Sequence, residues 1–101
     1  FNTSDKLPQP IAVLPSDFNP NLVDATTIGS RPAMITYDRK SNKMFYLEFT
    51  SAGKWVASEV TIGQPFRQVA KLRLFEIAGK PAAVYFESSS RGADLFLVQP
   101  R

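Results

Sequence analysis

The chain has 101 residues, 44% hydrophobic and 21% charged, with 12 basic and 9 acidic side chains and a formal charge of +3. That is material for one small domain, which buries only roughly 60–65% of its unfolded surface and is short of core unless other chains add to it. Cysteine and histidine are both absent, which excludes disulfides, thiol catalysis, thiolate or imidazole metal sites, Ser-His-Asp triads and an imidazole pH switch.

The chain starts at Phe1 rather than Met, so a processed or excised product is expected. No apolar run approaches the ~20 residues of a membrane-spanning helix, and no membrane partner is expected. An extracellular or periplasmic location fits a cysteine-free chain of this kind without being required by it.

Eight prolines leave few windows long enough for a helix. The segments between them are rich in Val, Ile, Thr, Phe and Tyr, residues that suit a pleated surface. Strands are therefore expected at Ile11–Leu14, Leu22–Ile28, Ala33–Asp38, Met44–Thr50 and Lys54–Ile62. A turn through Gly63-Gln64-Pro65 follows, then strands at Val69–Ile77, Ala82–Glu87 and Asp94–Gln99. The fold class is all-β, an antiparallel meander. In Val69–Ile77, Lys71 and Arg73 alternate with Ala70, Leu72 and Leu74, the pattern of a half-exposed strand. Ala33–Tyr37 and Met44–Leu47 are nearly continuous apolar runs, expected where both faces of a strand are covered.

The chain also repeats. Residues 28–38, Ile-Gly-Ser-Arg-Pro-Ala-Met-Ile-Thr-Tyr-Asp, align at an offset of 49 with residues 77–87, Ile-Ala-Gly-Lys-Pro-Ala-Ala-Val-Tyr-Phe-Glu. After a two-residue insertion, Lys43–Glu48 align with Asp94–Gln99. A unit of about 50 residues with four strands has the size of one β-propeller blade. The expected organisation is one all-β unit over 1–101, with a first repeat at 22–62 and a three-strand second repeat at 69–101. An N-terminal strand within 1–14 would complete a blade, giving two four-strand blades per chain. A small β-barrel or sandwich is the alternative.

The pattern Pro32-Ala33 … Tyr37-Asp38, then Met44-x-Tyr46, then Gly53-x-Trp55 resembles the repeats of bacterial propeller-like proteins, roughly G-x-P-A-I-x-Y-x-D … L-x-Y … G-x-W. The second copy, Gly79-Lys80-Pro81-Ala82, matches better at its start but carries Phe86-Glu87 in place of Tyr-Asp. The resemblance covers about two-thirds of the chain and implies fold more than function. Two blades cannot close a ring that usually holds ~4–8. It therefore implies either several copies forming one ring, as in small two-blade lectins, or the remainder of a larger propeller.

Five residues are candidates for ligand binding. Asp38 and Glu87 end equivalent strands, where a carboxylate could hold a ligand hydroxyl or, more simply, accept turn N–H groups. Arg31 and Lys80 precede equivalent prolines and could meet an anion or glycan, or remain solvated turn residues. Trp55 could stack on a sugar or, as the repeat context favours, pack in the core between blades. Tyr37, Tyr46 and Tyr85 lie mid-strand and read as core. The run Arg39–Lys43 reads as a solvated hairpin tip, too small for a nucleic-acid surface, and Ser88–Gly92 as its counterpart loop. No nucleophile has a base and no carboxylate pair has glycosidase spacing. No cofactor and no metal are expected, and no enzyme. The expected role is a binding or scaffold module, with a small lectin or a monomeric protein-binding or inhibitory β-domain as alternatives.

Overall fold

In a computed structural model of the chain, residues 20–89 and 92–100 are described. They form seven strands and no helix: β1 (Leu22–Ile28), β2 (Arg31–Asp38), β3 (Lys43–Phe49), β4 (Trp55–Val60), β5 (Val69–Ile77), β6 (Lys80–Ser89) and β7 (Gly92–Val98). The expected strand at Ile11–Leu14, and with it the blade-completing segment 1–14, lies outside the described residues.

Two antiparallel meanders result, one in the order β1-β2-β3-β4 and one in the order β5-β6-β7. They do not close into a barrel. The strand at Lys54–Ile62 is shorter than its sequence pattern suggests, because the chain leaves the β3 ladder after Met44↔Val60 to begin the linker. Ser88, expected in a loop, instead pairs with Ala93 and extends β6.

The β1–β2 and β5–β6 hairpins turn through two residues each, and both central residues have positive φ: Gly29 (57°) and Ser30 (85°), then Ala78 (53°) and Gly79 (79°). Such turns match the right-handed twist of the flanking strands. Each hairpin supplies one glycine, at the first position in one and the second in the other. This is why the glycine is displaced by one residue between the repeats.

The two sheets pack face to face. Ile28, Ala33, Ile35, Tyr37, Met44, Tyr46 and Val60 of the first meet Val69, Leu72, Leu74, Ala83 and Tyr85 of the second, with Phe66 from the linker, in one buried cluster. Fully burying a large apolar side chain contributes ~1.5–3 kcal/mol, so this cluster holds the sheets together. On the far face of the first sheet, Phe45 and Leu47 form a second cluster with Met34, Trp55 and Ala57. That accounts for the unbroken apolar runs in β2 and β3, whose side chains are buried on both sides.

Candidate functional site

At one end of the stack, the loop after β2 and the linker between β4 and β5 close over the seam between the sheets. Between them lies an open cleft of about 860 Å³, lined by Tyr37, Arg39, Asn42, Phe66, Arg67, Gln68, Val69, Ala70 and Ser88. Local hydrogen bonding builds its walls. The buried Asp38 carboxylate accepts the N–H of Lys40 at 3.0 Å and the hydroxyl of Ser41 at 2.7 Å, and its backbone carbonyl accepts the Asn42 N–H at 2.7 Å. Asn42 takes a positive φ of 61° at the loop's end.

The Tyr37 hydroxyl donates to the Asn42 side-chain oxygen, and the Asn42 amide donates to the Phe66 carbonyl, tying the loop to the linker. The Phe66 ring sits edge-on between Tyr37 at 5.9 Å and Tyr85 at 5.4 Å. Burial raises the pKa of both tyrosines, and Glu87 adds to the effect. Tyr37 therefore stays a proton donor through the physiological range.

Two cations border the cleft. Arg39 is positioned by its Nε, which donates to the Val69 carbonyl at 3.4 Å. Arg67 donates its backbone N–H to the Glu87 carboxylate at 2.8 Å. Among the described residues the only ion pair is Arg31–Glu48, at 3.2 Å, so neither the Arg39 nor the Arg67 guanidinium is matched by a carboxylate.

The five candidates from sequence do not converge on one place. Asp38 serves its own turn, the simpler of its two expected roles. Glu87 is nearby but accepts the linker N–H of Arg67 rather than repeating the Asp38 turn. Arg31 and Lys80 lie at the opposite end, where Arg31 pairs with Glu48 and Lys80 borders a shallow recess with Glu48, Pro81 and Gln99. Trp55 is half-buried on the far face of the first sheet, edge-on to Phe49 at 5.6 Å, and not between the two sheets.

Arg39 is exposed in the hairpin turn, where it was expected, and its Nε also bonds to the Val69 carbonyl of the second sheet. The sequence pattern places a turn through Gly63-Gln64-Pro65 and assigns no role to Phe66, Arg67 and Gln68. The available signal was a lone phenylalanine within a polar linker, a pattern that marks a loop folded back onto a core. Among the described residues, no group of three acidic side chains is gathered to hold a metal ion.

The outer faces form a second feature. Ile35 and Tyr37 of the first sheet point at the second sheet; their repeat equivalents, Val84 and Phe86, point away from the first. The sheets are thus stacked in the same sense, not as mirror-related halves of a sandwich. As a result, the second sheet repeats in the open the face that the first sheet buries. Met44 and Tyr46 are 0% and 2% exposed, whereas their equivalents Leu95 and Leu97 are 63% and 57% exposed. On the other face of each sheet the relation is complementary: Val23 on the first sheet is 55% exposed, and its equivalent Leu72 on the second is 7% exposed.

Comparison with protein-family models, characterised proteins and solved structures finds no match to this chain.

Proposed function

We propose that the chain is a non-catalytic scaffold or binding module built from propeller-type blades, which works by stacking on a second copy of itself. The observation that carries this reading is the open face of the second sheet, formed by Phe75, Ile77, Phe86, Leu95 and Leu97. Lys71, Arg73 and Lys80 lie on the same face, paired in register with Phe86, Val84 and Ile77, so it is an apolar cluster flanked by cations; exposed apolar clusters of this kind mark interaction surfaces.

The same-sense stacking argues for a second copy as occupant. The chain's own internal interface shows which surface fits a face of this type, namely the opposite face of a neighbouring sheet. On the first sheet that opposite face is open at β1, where the exposed Val23 and Ala25 stand where the second sheet presents Leu72 and Leu74 to the interface; Phe45 and Leu47, further across it, are buried within the chain. An association of this front-to-back kind is heterologous, and it forms a ring when the rotation between copies closes. Three chains would bring together six sheets, within the usual range for a propeller. A sequence without Cys or His, and with no paired nucleophile and base, supports a role in binding rather than catalysis.

Light scattering on a sizing column over a wide dilution range tests the reading. A mass three times 11.2 kDa is expected, falling to a single 11.2 kDa chain in the Leu95→Ser/Leu97→Ser variant. Both leucines are solvent-exposed within one chain, so the variant keeps its fold. A wild-type chain that stays monomeric at every concentration overturns the proposal.

A further inference from the structure

We propose that the cleft between loop 39–42 and linker 61–68 is a binding site for a small ligand bearing an oxyanion, a carboxylate or phosphate group, with Arg39 and Arg67 as its charge partners. The site lies within a single chain and does not depend on stacking between copies.

Four observations converge on it. The first is room: a cleft of about 860 Å³ falls in the size range of small-molecule sites.

The second is unmatched charge. Asp38 and Glu87, next in sequence to the lining residues Arg39 and Ser88, are engaged by backbone N–H groups of Lys40 and Arg67, and among the described residues neither guanidinium has a carboxylate partner. The Arg39 Nε bond to Val69 O fixes one edge of that guanidinium and leaves its Nη groups to meet an oxyanion. A planar fork of N–H donors matches carboxylate and phosphate geometry better than a lysine ammonium does.

The third is backbone strain. Of the four non-glycine residues with positive φ among the described residues, two lie in this cleft, Asn42 at 61° and Gln68 at 40°. The other two sit in the hairpin turns, whose geometry requires it. Strain of this kind persists where the surroundings enforce it and concentrates at binding sites. Here the enforcement on Asn42 is visible in the Tyr37–Asn42–Phe66 hydrogen-bond chain that ties the loop to the linker.

The fourth is the aromatic wall of Tyr37 and Phe66, an apolar surface for the body of the ligand beside the cations that hold its charge.

The experiment is a titration of the full chain followed by amide chemical shifts, with glucuronate, inorganic phosphate and uncharged glucose as three separate probes. Glucuronate or phosphate is expected to shift the Arg39, Asn42, Arg67 and Ser88 amides with a Kd on the order of 1 mM or tighter, while glucose shifts none of them. A response to glucuronate alone assigns a carboxylated ligand, and a response to phosphate alone a phosphorylated one.

Arg67→Gln, which keeps the backbone bond to Glu87, is expected to weaken binding at least about tenfold. Arg39→Gln should do the same, while Arg31→Gln at the opposite end leaves it unchanged. The proposal is overturned if neither oxyanion shifts these amides, if glucose binds as well, or if affinity survives Arg67→Gln in a variant that unfolds at the wild-type temperature.

Discussion

The carboxylate of Asp24 on β1 accepts the backbone N–H of Leu74 on β5 at 2.7 Å, joining an edge strand of one sheet to an edge strand of the other. β5 is an edge strand of its sheet, so alternate N–H groups point away from its partner and would lack an acceptor where the seam excludes water. Asp24 supplies that acceptor, and Glu76 makes the reciprocal contact by accepting the Gly29 N–H at 2.7 Å. Asp24→Ala should lower unfolding stability by about 1–3 kcal/mol, while Asp24→Asn, which keeps a side-chain carbonyl, should cost less. Urea unfolding of both variants measures the difference. Equal losses would show that the contribution comes from charge rather than from the acceptor.

The hairpin turns give a prediction of opposite sign. Ala78 holds φ at 53° and Ser30 at 85°, a region in which a side chain costs roughly 1 kcal/mol and glycine does not. Ala78→Gly and Ser30→Gly should each stabilise the chain by up to about 1 kcal/mol, less the entropy that glycine adds to the unfolded state. Gly79→Ala should destabilise by a similar amount. Thermal unfolding midpoints of the three variants decide it, and a lower midpoint for Ala78→Gly would contradict the turn assignment.

These turns also mark how far the sequence could be read. β1 and β5 have their expected limits because Gly29-Ser30 and Ala78-Gly79 interrupt unambiguous β-forming runs. The buried tyrosines follow from their mid-strand positions. The sense of stacking was not legible, because it depends on which face of each sheet turns inward, and alternation within a strand leaves that choice open. The same limit misplaced Trp55, whose parity with Phe45 and Leu47 sends it to the far face. The cleft was hidden for another reason: it arises where residue 39 meets residue 69, a contact that neither local pattern nor repeat spacing encodes.

Alkaline pH should expose the buried phenols. Burial raises the Tyr46 pKa well above its ordinary 10.0, with the hydrogen bond to Glu48 and its charge adding to the shift; Tyr37 and Tyr85 are raised mainly by burial. The folded state thus retains phenolic protons that the unfolded state releases from about pH 10 upward. The stability tied to these groups is complete below pH 10 and is lost as pH rises toward the folded-state values. Urea midpoints should therefore be flat with respect to tyrosine ionisation below pH 10 and fall above it. Tyr46→Phe should make that fall shallower, and an unchanged slope in this variant would remove Tyr46 from the account.

Phe66 lies in the linker between the sheets rather than in a strand, yet it is buried and its ring is edge-on to both Tyr37 and Tyr85. It joins residues from the two sheets at the end of the stack where the cleft opens. Truncation removes both aromatic contacts and leaves a cavity, so Phe66→Ala should cost about 3–5 kcal/mol, a large fraction of what a domain this small has. Phe66→Leu keeps much of the volume and should cost less, isolating the edge-on contacts. The backbone carbonyl that receives the Asn42 amide survives both changes, so the loop should keep its Asn42 conformation in the leucine variant. Denaturant unfolding, together with the Asn42 amide shift, separates the two effects. A Phe66→Ala variant as stable as wild type would mean that the sheets hold together without the linker, and that the cleft rests on the seam hydrogen bonds alone.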